Sequence, residues 1–248
     1  FHGYDAGNKA GALRLVCIHE TTRQVHIHRL GLPDDSRQAL SAANPGNHTK
    51  TVLHKLLETE FLHAIDAPSL ALLIPVLQRG LKDKSGTGKR HSALIVGNMV
   101  TMINDPKDFS PYIEPLLPGI KAVLLDPIPD VRATASKCIG SLVRGLGDVV
   151  YVTVRDEVVP LAKHPNAATR EGVLWVLTFL PSVLGAGYSG LIDVALPALL
   201  RGLSDEVEAV REVAMRAGRV MIRSSGKKDC DKILPALEDG MTDDNWRI

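Results

Sequence analysis

Three groups of residues carry side chains whose type and spacing could do chemistry. Ser85-Gly86-Thr87-Gly88-Lys89-Arg90 has the small residues and lysine of a phosphate-cradling loop, in which backbone N–H groups face the phosphates and the ammonium reaches the terminal one. That loop also needs an earlier glycine, a Ser or Thr after the lysine and a preceding strand. Here Asp83 and Arg90 occupy the first two positions and no strand pattern precedes, so the segment reads as a turn between helices. Cys17, His19, His26 and His28 are metal-capable, and alternation around Ile27 puts two of them on one face of an extended segment. Paired Cys-x-x-Cys or helical His spacing is absent, and the cluster reads as incidental. No Gly-x-Ser-x-Gly elbow is present, and Cys17, Cys138 and Cys230 have no nucleophile motif around them. The acid pairs Asp34 with Asp35 and Asp243 with Asp244 fall in turns that should be wet, where carboxylates need little perturbation. Trp246 could stack a base but more simply covers a neighbouring turn. The expectation is a protein with no catalytic centre, metal, cofactor or small-molecule substrate.

The elements that hold these residues repeat. Eight residues after Pro75, Pro118, Pro197 and Pro235 stand Asp83, Asp126, Asp205 and Asp243. Fourteen after the first three stand Lys89, Arg132 and Arg211. With Pro160 as a weaker copy, the proline intervals are 43, 42, 37 and 38 residues, the period of a helix-pair solenoid. Apolar residues between the anchors keep helical spacing: Val131, Ala135, Cys138, Ile139, Leu142, Val143 and Leu146 in one copy, Val210, Ala214, Ala217, Met221 and Ile222 in another. First helices carry Leu77 and Leu81, Ile120 and Leu124, Leu199 and Leu203, or Leu237 and Met241. Asp66 and Ser110 are candidate caps with Pro68 and Pro111 beside them, and the anchor prolines lie inside the first helix and should bend it.

These patterns predict an all-α, HEAT/ARM-like α-solenoid of about four to five stacked helix pairs with an irregular N-terminal segment. Residues 1–48 fit no copy and form the irregular, poorly ordered part. Residues 49–248 form the array, with the last repeat truncated, and Val52, Leu53, Leu56, Leu57 and Phe61 mark the second helix of a pair whose first helix is missing. The third copy is shortened, since ten residues separate Pro160 from Arg170, the candidate cation there. Residues 145–157 carry a β-branched run without a clear helical stripe, and a local irregularity is expected. Asp83, Asp126, Arg132, Asp205, Arg211 and Asp243 are expected to link turns across the stack as an exposed structural ladder, each link worth about 1 kcal/mol or less.

The 248 residues include 29 Lys plus Arg and 28 Asp plus Glu, a net charge of +1, with 45% hydrophobic and 4% aromatic residues. That is a core-forming composition without the global field that attracts polyanions. An odd number of scattered cysteines points to a reducing, cytoplasmic setting. No apolar run was expected to approach the roughly 20 residues that span a bilayer, so no membrane partner is expected. Phe1 and the helix signal cut at Ile248 suggest a fragment. Cations gather near the turns: Arg79, Lys82, Lys84, Lys89 and Arg90, then Lys137 and Arg144, then Arg211, Arg216, Arg219 and Arg223, then Lys227 and Lys228. Stacking would line them along one edge able to meet ribosomal RNA phosphates, because counterion release responds to local contacts; the bland reading is a solvated face interleaved with acids.

Phe61-Leu-His-Ala-Ile-Asp-Ala-Pro-Ser-Leu-Ala-Leu-Leu-Ile-Pro75, Ile95-Val-Gly-Asn-Met99, Leu125-Asp-Pro-Ile-Pro-Asp-Val-Arg-Ala-Thr134, Leu234-Pro-Ala-Leu-Glu-Asp-Gly240 and Asp244-Asn-Trp-Arg-Ile248 closely resemble the HEAT-repeat region of the general-control kinase activator family, in the stretch it shares with fungal elongation factor three. The resemblance covers about residues 49–248. It does not extend to residues 1–48, and the stretch near 145–165 departs from the pattern by about one repeat. It implies a non-enzymatic scaffold of the amino-acid-starvation response that binds ribosomes and supports activation of the kinase that phosphorylates the alpha subunit of translation initiation factor two. The family's kinase-binding segment and the ATPase cassettes of elongation factor three lie outside the matched region, so the kinase is a partner only through parts absent here. The alternative is a generic HEAT-repeat adaptor for proteins, with no ribosome contact.

Overall fold

The computed structural model describes residues 46–58, 65 and 67–241. The helices in chain order are α1 Gly46–Glu58, α2 Ala67–Leu81, α3 Gly86–Thr101, α4 Pro106–Leu124, α5 Pro129–Leu146, α6 Asp148–Thr153, α7 Ala167–Leu184, α8 Ser189–Leu203, α9 Glu208–Ser225 and α10 Cys230–Met241. A π-helical turn Val154–Val158 and a 3-10 turn Val159–Lys163 join α6 to α7, and a second 3-10 turn, Gly185–Tyr188, joins α7 to α8. No described residue is in a strand. The fold is the all-α helical-hairpin repeat of the HEAT/ARM class that the proline period indicates. Helix begins at Gly46; the rest of the segment expected to be irregular lies outside the described residues.

The chain divides into two compact units, residues 1–120 and 121–248. In the first, α2 and α3 form a hairpin and α1 packs against both. Its buried Val52, Leu53 and Leu56 give α1 the place of a second helix in a preceding pair. In the second unit, α7 packs between α5 and α9, so second helices make one layer. The 3-10 turn Val159–Lys163, α8 and α10 make the other, with α8 against both the turn and α10. Val131, Ala135, Cys138, Ile139, Leu142 and Val143 of α5 and Val210, Ala214, Ala217 and Met221 of α9 are buried as their spacing requires. Ile222 departs from the expected stripe and is 47% exposed.

Pro75, Pro118, Pro197 and Pro235 lie inside α2, α4, α8 and α10. The expected start at Ser110 and Pro111 is corrected: α4 starts at Pro106. Asp105 caps it, its Oδ1 accepting from the Lys107 N–H at 2.9 Å and its carbonyl from the Asp108 N–H at 3.0 Å. Asp-Pro supplies a cap and a first-turn proline together, as Ser-Pro would, and the helix takes the earlier of the two starts. Asp66, the other candidate cap, lies outside the described residues.

The third copy carries the expected irregularity as a break at Gly147 followed by short α, π and 3-10 segments over residues 148–163. Gly147 ends α5 at φ 61°, a left-handed conformation that glycine adopts without strain. Val150, Val154 and Val158 are then buried at 0%, 1% and 1% exposure, and the π turn lets these β-branched residues recur every fourth position on one face. The stretch Ala167–Leu203 is apolar enough over an 18-residue window to cross a membrane by composition, which corrects the expectation that no such run exists. It is not one rod: the Gly185–Tyr188 turn breaks it, and Val173, Leu174, Val176, Leu177, Leu180, Leu191, Ile192 and Ala195 are buried within the protein.

Close approach of layers puts a methyl group out of reach at Gly172, where a Cβ would sit 2.4 Å from the Leu124 carbonyl oxygen. Gly218, in α9, has nothing within 4 Å of a Cβ. Gly172→Ala should therefore destabilise by about 1–3 kcal/mol, whereas Gly218→Ala should stabilise by about 0.5–1 kcal/mol, both read from urea unfolding midpoints.

Candidate functional site

Each hairpin of the described chain turns on the same small device. The side chain at its head accepts a hydrogen bond from the backbone N–H two residues on: Asp83 from Ser85 at 3.2 Å, Asp126 from Ile128 at 2.9 Å, and Asp205 from Val207 at 3.0 Å. This is the Asx-turn geometry that makes aspartate a turn residue. In the third hairpin His164 takes the place, its Nδ1 accepting from the Asn166 N–H at 3.1 Å. Asn166 then caps α7 through the Ala168 N–H at 2.9 Å.

Six residues further along, in the first turn of the second helix, an arginine closes each turn of the second unit. Arg132 donates to the carbonyls of Asp126 and Pro127 at 2.7 and 2.8 Å. Arg170 donates to those of His164 and Pro165 at 3.0 and 2.8 Å, and Arg211 to those of Asp205 and Glu206 at 2.7 and 3.0 Å. A cation at a helix N-terminus opposes the macrodipole, and the turn carbonyls offset that cost.

The same guanidinium reaches the following hairpin. Arg170 holds Asp205 in a bidentate pair at 2.6 and 2.8 Å, with the side chains 11% and 6% exposed. Arg132 meets histidine instead of aspartate at the head of the next turn and pairs with Glu171 one turn into α7. These pairs are buried, unlike the exposed links expected from the turn positions, because the second helices pack closely enough to cover them. Arg132 Nε has no hydrogen-bond partner among the described residues. In the first unit Asp83 has Lys50 of α1 at 3.9 Å, and its carboxylate lies over Gly88, where a Cβ would meet Oδ2 at 2.4 Å. With Ser85 Oγ accepting from the Gly88 N–H at 3.5 Å to cap α3, Ser85 to Arg90 is a turn and helix start. Lys89 is half-buried there. Asp243 lies outside the described residues.

Burial pushes the Asp205 carboxyl up, but hydrogen bonds from Arg170 and the Val207 N–H, with the charges of Arg170 and Arg211, outweigh it and hold it below the usual carboxylate range. The paired carboxylate in turn holds the Arg170 guanidinium up despite burial.

The candidate RNA-facing cations fall in both units. Lys82, Lys84 and Arg90 are exposed around the α2–α3 turn, with Arg79 half-buried beside it, where desolvation lowers its pKa. In the second unit Arg144 ends α5, and Arg219, Arg223, Lys227 and Lys228 lie along the last half of α9 and beyond. Along α9, Arg219 and Arg223 stand about 12 and 18 Å beyond Arg211 at 1.5 Å per residue, away from the turn that Arg211 closes. Lys228 Nζ donates to the Ala186 carbonyl at 3.1 Å.

Sequence reasoning missed Glu171 and His164. The six-residue spacing from Asp126 to Arg132 and from Asp205 to Arg211 recurs from His164 to Arg170, but counting from the prolines concealed it. Among the described residues no group of His, Cys, Asp and Glu could hold a metal ion. The cluster Cys17, His19, His26 and His28, the Asp34–Asp35 pair and Trp246 lie outside them.

Glu171→Gln should destabilise the chain by about 3–5 kcal/mol by stranding Arg132 in the core, and Arg132→Met with Glu171→Leu should recover most of that in urea unfolding. Asp205 contributes stability that is present above the unfolded carboxylate pKa of about 4 and lost as pH falls through its depressed folded value. Asp205→Asn should therefore be less stable at pH 7 and lose less than the native chain between pH 5 and pH 2 in acid titrations of unfolding.

Residues 48–150 match the family described as Elongation factor 3/GNC1 HEAT repeat. Over 222 residues the chain is 37% identical to Protein ILITYHIA of Arabidopsis thaliana, covering 74% of the chain and 8% of that protein. It is 34% identical over 244 residues to the eIF-2-alpha kinase activator GCN1 of Dictyostelium discoideum and 32% over 246 to the stalled ribosome sensor GCN1 of Mus musculus, covering 83% of the chain and 9% of each relative. The chain thus spans less than a tenth of the length of these relatives. Among solved structures, one titled "Structural Basis of Microtubule Plus End Tracking by XMAP215, CLIP-170 and EB1" superposes with a TM-score of 0.57 at 14% identity, over 85% of this chain and 90% of that one, a likeness of fold alone. Residues 48–150 belong to the Elongation factor 3/GNC1 HEAT-repeat family, and the chain as a whole is a homologue of a HEAT-repeat segment of the GCN1 proteins.

Proposed function

We propose that this chain is a non-enzymatic HEAT-repeat scaffold of a translation-stress regulator, and that it contributes a ribosome-facing surface. Two relatives carry names that state their roles, an activator of the eIF-2-alpha kinase and a sensor of stalled ribosomes, and this segment's share in those roles is the proposal. The observation that carries it is the exposed cation cluster Lys82, Lys84 and Arg90 at the α2–α3 turn, inside the stretch that matches the elongation-factor family. A turn edge presents such charges outward while the Asp83 device fixes the backbone beneath them. Phosphates of ribosomal RNA are the complementary partner, and affinity then depends steeply on salt. Arg79 and Lys89 support the same edge from half-buried positions, and Lys227 and Lys228 are proposed as a second phosphate contact. A cytoplasmic location and an indirect role in kinase activation follow from the same reading.

Cosedimentation with purified ribosomes over a salt series tests it. Binding should weaken steeply between 50 and 200 mM salt, and Lys82→Glu, Lys84→Glu and Arg90→Glu together should lower affinity at least about tenfold while reducing the salt slope by about 2–3. Helix content by circular dichroism should be unchanged. Binding that ignores salt, or none, supports the adaptor reading instead.

A further inference from the structure

The second helices of the second unit carry a row of side chains that the ladder does not use. Lys137, Trp175 and Arg216 each stand five residues after their ladder arginine, so repeat geometry places them at one level across α5, α7 and α9. Trp175 stacks with Phe179 at 6.3 Å between ring centroids and 17° between planes. Arg216 lies over Trp175, its Cζ 5.1 Å from the centroid, and Lys137 lies over Phe179 at 5.9 Å. Trp175 Nε1 donates to Glu171 Oε1 at 3.3 Å, which anchors the rings to the buried ladder pair. Seven residues beyond Lys137 and Arg216 stand Arg144 and Arg223, with Arg219 between on α9. Lys137, Arg144, Arg216, Arg219 and Arg223 are exposed, and none has an ion-pair partner among the described residues. Met215 and Ile222, 46% and 47% exposed, interleave with the arginines of α9. Acids on the three helices stand toward the N-terminal turns: Asp130 on α5, Glu171 on α7 within the core, and Glu208 and Glu212 on α9.

We propose that this face of α5, α7 and α9 docks an extended acidic peptide segment of another protein, with large apolar side chains spaced among its carboxylates. Charge complementarity argues for the partner: five unpaired cations surround an aromatic pair, and Met215 and Ile222 offer apolar seats beside them. The ring geometry separates a peptide from a single-stranded nucleic acid. Base recognition needs an open aromatic face, whereas here Trp175 and Phe179 face each other and a cation covers each ring. Lys137 and Arg216 remain exposed residues, so carboxylates can reach them, the guanidinium in a forked pair and the ammonium as a point charge. The cations over the rings are held in place before a partner arrives, which lowers the ordering cost of binding.

The test is fluorescence anisotropy on the full 248-residue chain with a labelled 12-residue peptide of repeating Glu-Glu-Leu, its Gln-Gln-Leu counterpart and a 12-residue oligouridylate. The acidic peptide should bind at least tenfold tighter than the glutamine peptide and at least tenfold tighter than the oligouridylate. Arg216→Glu, Arg219→Glu and Arg223→Glu together should lower its affinity at least tenfold with unchanged circular dichroism, and Lys82→Glu with Lys84→Glu should leave it unchanged. In a Trp246→Phe background, Trp175 emission should shift on saturation with the acidic peptide. The proposal is overturned if the two peptides bind equally or not at all, if the oligouridylate binds as tightly as the acidic peptide, if the arginine substitutions change nothing, or if Trp175 emission is unmoved by saturating peptide. Because the ribosome test reads a different set of cations, failure of either leaves the other standing.

Discussion

A guanidinium in the first turn of each second helix sets the architecture of the second unit. Alone it would be misplaced, since it carries positive charge to the positive end of a helix dipole. It is retained because the turn behind it presents two carbonyls that helical bonding leaves free, and for Arg132 and Arg170 the next hairpin presents a carboxylate. Arg170 meets all three demands at once, through the carbonyls of His164 and Pro165 and both oxygens of Asp205. Because the carboxylate that receives it also shapes its own turn through the Val207 N–H, one side chain couples the conformation of one turn to the position of the next. Burial raises the stakes of each link: a buried pair adds little over an apolar substitute but is costly to break from one side. We assign such pairs to register more than to stability.

That division of labour leaves the outer surfaces free. Apolar stripes such as Val131 to Val143 in α5 and Val210 to Met221 in α9 supply the core, and stacking buries what a lone helix pair would expose. Lys82, Lys84 and Arg90 at the turn of the first unit, and Arg144, Arg219 and Arg223 on second helices of the second, are then exposed. The aromatic pair Trp175 and Phe179 touches both levels. Its polar end is tied to Glu171, a ladder partner, while its flanks meet Lys137 and Arg216. Both proposed recognition surfaces are accordingly rows of side chains spaced by the repeat.

Much of this was legible in the residues themselves. Proline spacing and the aspartate that follows each anchor revealed the hairpins, because both are backbone requirements that leave marks in sequence. The buried stripes followed from period alone. What escaped was local. His164 replaces an aspartate by offering a ring nitrogen to the same N–H, which no search for carboxylates finds. Glu171 takes up Arg132 because His164 supplies no negative partner, a consequence visible only once two hairpins are packed. Val150, Val154 and Val158 repeat every fourth residue, yet β-branched composition disguised a helix that a π turn keeps in phase. Within α9, Arg211 closes a turn at one end while Arg219 and Arg223 lie toward the other, so they do not share that turn.

The central claim is that the ladder arginine couples adjacent turns, and a double-mutant cycle on Arg170 and Asp205 addresses it directly. Unfolding free energies of the native chain, Arg170→Ala, Asp205→Ala and the double substitution should give a coupling of about 1–3 kcal/mol, diminished at a pH below the depressed Asp205 pKa. Strict additivity of the two single losses at neutral pH would mean that the hairpins keep their register without this link, and would contradict the account.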